Sequence, residues 1–119
     1  MNIYETTVNE KLGIDNRTIE LKELGIKLRE ETEEVIKELD KLGEKESDKT
    51  RILALGEILD VIQVILILRT RLVNGDEDRF KAAVAKHNYK LWIDRKWERG
   101  QGYNIEVIKG VEKWDQRNI

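Results

Sequence analysis

The residues of this chain best suited to chemistry are acids at helical spacing. In Glu30-Glu31-Thr32-Glu33-Glu34, Glu31 and Glu34 stand three residues apart, and Glu57-Ile58-Leu59-Asp60 repeats that interval inside an otherwise apolar run from Ile52 to Leu68. At ~100° per residue, an interval of three leaves two side chains about 60° apart on one helix face. Glu33 has a counter-charge in Lys37 at i+4, and Lys27 and Lys37 stand within a turn of Glu31 and Glu34, although Glu30 and Glu38 flank Glu34 with like charge. Glu57 and Asp60 have none, because their neighbours three and four residues away are Leu53, Ala54, Gly56, Val61, Gln63, Val64 and each other. An uncompensated buried carboxylate costs several kcal/mol against a total stability of about 5–15 kcal/mol, so a cation must reach this pair. Lys27, Arg29, Lys86 or Lys90 from another helix is one source, and a metal ion is another. Four carboxylates converging within ~4 Å would repel by about 4 kcal/mol per pair at an effective dielectric of 20. A divalent ion removes that repulsion. All-carboxylate donors favour Mg²⁺ or Mn²⁺ over zinc, and a di-iron bundle would need two Glu-x-x-His pairs where the chain has one histidine, His87.

Long helices are needed to hold these acids, and the sequence predicts three. The chain has no proline, and its apolar residues recur at helical intervals. The first helix is expected from about residue 17 to 42, entered through Asp15-Asn16 and closed by Gly43, with a stripe of Leu21, Leu24, Leu28, Val35, Leu39 and Leu42. Glu31 occupies a gap in that stripe. The second is expected from about 48 to 73, capped by Ser47 or Asp48 and stopped by Asn74-Gly75, with an apolar surface broad enough for the middle of a bundle. The third is expected from Asp76, whose acids Asp76, Glu77 and Asp78 suit the positive helix end, to about Arg99, before Gly100-Gln101-Gly102. The first 14 residues are ambiguous, and Tyr103 to Ile119 reads as a short strand or an irregular tail. The expected fold is all-α: a bundle of three long helices with short terminal segments, one domain over 1–119 with its core at about 17–100. Such a core is thin, and Ile62, Ile65, Ile67 and Leu68 are candidates for an apolar patch that a second copy would cover.

Composition narrows the partners. The 22 Lys+Arg against 24 Asp+Glu leave a net charge of −2, with no bulk attraction to nucleic acid or an anionic membrane. There is no cysteine for a disulfide or thiolate metal site, and the opening residues lack the pattern of a secretory signal. The Ile52–Leu68 run approaches membrane-spanning length, yet two acids would each cost about 2.5–3.5 kcal/mol at a bilayer centre, so it reads as a buried core helix of a cytoplasmic protein.

The order E-E-x-x-E (Glu30, Glu31, Glu34) then E-x-x-D (Glu57, Asp60), on two helices separated by a short loop, resembles the MazG-like branch of the all-α nucleoside triphosphate pyrophosphohydrolases. That superfamily also holds the dimeric dUTPases and phosphoribosyl-ATP pyrophosphohydrolases. The match covers roughly residues 17–100. The resemblance implies that Glu31, Glu34, Glu57 and Asp60 hold Mg²⁺ (Mn²⁺ substituting), which binds a nucleoside triphosphate while water releases pyrophosphate. It implies Glu30 or Glu34 as the proton acceptor, and a later basic segment with Lys86, Lys90, Arg95 and Arg99 as phosphate ligands, in a homodimer or homotetramer. Two other readings stand beside it: a non-catalytic helical interaction module with a structural cation site, and a relative acting on a phosphoribosyl-nucleotide.

Overall fold

Ser47 decides where the second helix starts. Its hydroxyl accepts from the Thr50 amide at 3.2 Å while the Thr50 hydroxyl accepts from the Ser47 amide at 2.9 Å, a reciprocal cap that satisfies two donors left over at a helix start. In the computed structural model, which describes residues 1–108, helix α2 runs Asp48–Val73 and ends where Asn74 turns left-handed (φ 47°), followed by Gly75 at φ 81°. Helix α1 runs Leu21–Glu44. The three residues between them permit only an antiparallel hairpin, and the two helices pack along their length. Leu24 of α1 and Ala54, Val64, Ile67 and Val73 of α2 form the buried apolar core. No described helix is long and apolar enough to cross a membrane.

The structure divides into two units, Met1–Glu77 and the part from Asp78 onward. In the first, a small antiparallel pair, β1 (Val8–Asn9) with β2 (Ile14–Asp15), precedes α1. This segment is tied to the far end of α2. The Arg71 guanidinium donates to the backbone carbonyls of Asn16 and Ile19, and the Thr70 hydroxyl donates to Glu5 at 2.6 Å. In the second, α3 (beginning at Glu77 and ending at Asn88) passes into a π-helical segment, Tyr89–Asp94, and residues 103–108 have no regular structure.

The mostly helical architecture and α2's limits agree with the sequence reading; several details do not. Helix α1 begins four residues later than expected, because Asp15 and Asn16 are used elsewhere. Asp15 pairs with β1 and binds Arg17, and Asn16 is buried with its amide donating to Thr6. Gly43 lies inside α1. The third helix is α-helical only to Asn88; the Arg95 amide reaches back to the Lys90 carbonyl, five residues away, and Lys96 then takes φ 54°. The apolar patch also lies elsewhere. Ile67 is buried and Ile62 and Leu68 half-buried, whereas Ile52, Leu53, Leu55, Ile58, Leu59 and Leu72 are exposed with Ile65. The expected strand or tail at Tyr103–Ile119 falls partly outside the described residues.

Candidate metal centre

The short turn sets the register that builds the site. Glu31 lies thirteen residues before the end of α1 and Asp60 twelve residues after the start of α2, so at 1.5 Å per residue they stand at nearly the same height on opposing helices. One carboxylate oxygen from each of Glu31, Glu57 and Asp60 lies within 4.8 Å of the others, with Glu31 and Glu57 half-buried and Asp60 exposed. None of the ion pairs among the described residues involves these three, so neither Lys27 nor Arg29 supplies the missing cation. The Glu57 carboxyl is consequently pushed above its usual range, first by desolvation and then by the charges of Asp60, Glu34, Glu31 and Glu38.

Glu34 stands beside this triad. Its carboxylate, about half exposed, accepts from Lys37 at 3.2 Å, and it is Glu34 rather than Glu33 that takes this lysine. Glu30 is exposed. Lys86, Lys90, Arg95 and Arg99 all lie in the second unit and are all exposed. Lys86 is in the last turn of α3 and Lys90 in the π-helical segment, while Arg99 covers the Trp92 ring at 5.3 Å.

One acid was missed as part of the site. Glu38 projects from α1 two turns beyond Glu31, almost on the same line, and its charge bears on Glu57. Only 13 % of its side chain is exposed; Oε1 accepts from Lys41 at 3.1 Å, and Oε2 is buried with no hydrogen-bond partner. The i+7 spacing from Glu31 was the available signal.

No protein-family model, curated protein or solved structure matches this chain. The chemistry of the converging acids suits a hard divalent cation. The three donors are all carboxylate oxygens, carry net negative charge and take part in no ion pair among the described residues. With their oxygens within 4.8 Å of one another, the three acids would draw closer together to share one such ion.

Proposed function

We propose that this chain is a MazG-like, Mg²⁺-dependent nucleoside triphosphate pyrophosphohydrolase of the cytoplasm, acting as a homo-oligomer. The observation that carries the reading is the meeting of Glu31, Glu57 and Asp60 across two helices with no cation to balance them. These three hold the metal, with Glu34 alongside. When bound, Mg²⁺ supplies neutralisation of the polyphosphate and acidification of water. Glu34, or Glu30 on the adjoining helix surface, accepts the proton of the attacking water. A second copy covers the exposed apolar residues of α2, including the groove of about 300 Å³ lined by Leu39, Leu42, Arg51, Ala54, Leu55 and Ile58.

A second reading, a structural cation site in a non-catalytic helical module, is favoured by the thinness of the core. Five buried apolar residues hold the hairpin, and an ion bridging α1 and α2 would staple it. A substrate panel separates the two. The protein is incubated with Mg²⁺ and canonical, deoxy- and modified nucleoside triphosphates plus a phosphoribosyl-nucleotide, and monophosphate and pyrophosphate are measured. Turnover that disappears in Glu57→Gln while the fold persists supports the enzyme; metal-dependent stabilisation with no turnover on any substrate supports the module.

A further inference from the structure

The charges of this chain are unevenly divided. Residues 1–77 carry 12 Lys+Arg against 18 Asp+Glu, whereas the second unit, from Asp78 onward, carries 10 against 6, so an acidic chain contains one part with a net charge of +4. Such asymmetry marks attraction to a polyanion in that part alone. The excess is concentrated in residues 86–99, where Lys86, Lys90, Arg95, Lys96 and Arg99 outnumber two acids, Asp94 and Glu98. All five cations are exposed, and none takes part in an ion pair among the described residues.

The same stretch sets aromatic rings beside those cations. Lys86, Tyr89 and Lys90 lie at i, i+3 and i+4 where α3 passes into the π-helical segment, so they share a face, and Tyr89 is 59 % exposed. Lys96 then reverses the chain with its left-handed backbone, the Trp97 amide donates to the Leu91 carbonyl at 3.0 Å, and Arg99 comes over the Trp92 ring. Trp97 itself is 64 % exposed. A partner for this surface must offer both repeated negative charge and flat apolar faces. Duplex DNA offers the charge but keeps its bases stacked inside. An anionic bilayer also offers charge, yet an interfacial helix needs a continuous apolar face, and Phe80 and Val84 are the only large apolar residues of α3. A single strand of nucleic acid offers both, since phosphates suit the cations and every base has a face to stack.

We infer that residues 86–99 form a binding surface for single-stranded nucleic acid, with bases stacking on Tyr89 and Trp97 while Lys86, Lys90, Arg95, Lys96 and Arg99 neutralise its phosphates. Arg99 over Trp92 is already a stack of the same kind, a planar cation on an indole face. The metal centre, whose acids belong to the first unit, has no part in this surface.

The test is fluorescence anisotropy of labelled oligothymidylate and oligouridylate, each about 12 nucleotides long, with the full chain in EDTA so that no divalent ion reaches the acids. Wild-type binding is expected, with log affinity falling against log salt at a slope of about −2 to −3.5, the steeper limit being all five cations at about 0.7 per phosphate. Trp97→Ala and Tyr89→Ala each weaken it about fivefold or more, Trp97→Phe retains most of it, and the double variant Lys86→Ala/Lys90→Ala lowers the slope by about 1.4. Circular dichroism checks the fold of each variant, and quenching of tryptophan fluorescence by the oligonucleotide reads stacking in the wild type itself. The tighter of the two strands tells DNA from RNA. Five results overturn the surface: no binding at low salt; binding without quenching, or unchanged in folded Trp97→Ala and Tyr89→Ala; a duplex bound as tightly as the single strand; displacement by an equal concentration of a nucleoside triphosphate; and preference for vesicles containing phosphatidylserine.

Discussion

Asp60→Asn tests the acid group where its electrostatics can be worked out. Glu31 and Asp60 present oxygens no more than 4.8 Å apart. Two unit charges at that distance repel by about 1 kcal/mol in a water-like dielectric and about 3.5 kcal/mol at an effective dielectric of 20. Asp60 is exposed, so the value near 1 kcal/mol applies to the metal-free protein. The substitution keeps shape and removes charge, and relief of that size raises Tm in EDTA by about 4 °C for a chain of 119 residues. Divalent cation has the opposite effect. In the wild type, Mn²⁺ at a hundredfold excess over its Kd adds about 2.7 kcal/mol, whereas in Asp60→Asn, with one ligand charge gone, the added stabilisation largely disappears. Thermal unfolding followed by circular dichroism, in EDTA and in Mn²⁺, gives all four values. A variant less stable than the wild type in EDTA, or one that retains the full Mn²⁺ shift, would refute the reasoning.

Three further outcomes follow, two from the acid group and one from the apolar groove. The Glu57 carboxyl lies above its ordinary value of 4.5 in the folded chain, so the folded state holds this proton more tightly than the unfolded one. Its contribution to metal-free stability is therefore present below that ordinary value and is lost as pH rises through the raised one. Mn²⁺ must displace the same proton, so affinity measured by calorimetry falls by up to about tenfold per pH unit below the raised value, and Glu57→Gln removes that component of the pH dependence. On the proposed homo-oligomer, the wild type elutes as more than one copy in size-exclusion with light scattering and Leu55→Asp, which puts a charge in the exposed apolar groove, elutes as a monomer; a monomeric wild type refutes the interface.

The parts of the fold that follow from local chemistry were legible. Helix α2 is bounded by Ser47 and by Asn74-Gly75, whose effects act within a turn, and its limits matched residue for residue. The start of α1 was not legible, because Asn16 resembles a cap by type but is claimed by Thr6 and Arg71, partners ten and 55 residues away. The π-helical segment carries no proline or glycine to announce it, so i-to-i+4 periodicity carried the expected helix through it. At the site, the two acid pairs could be seen as spacings, and three of the four acids do converge. Glu34 is drawn toward Lys37, and Glu38 looked like mere like-charge crowding until the burial of its Oε2 was visible.

The tie at the open end of the hairpin bears on how the chain folds. Helices joined by three residues meet at little cost in chain entropy, so α1 and α2 can zip from the Ser47 turn. The bond from Thr70 to Glu5 spans 65 residues and must wait until both helices have brought their distant ends together. Native-state hydrogen exchange should accordingly be slower in the helices that zip from the turn than in residues 4–19, whose attachment at the open end is the last to form and the first to open. The acid group sits between these limits, so an ion bound there would lock the zipper midway and slow opening on its far side.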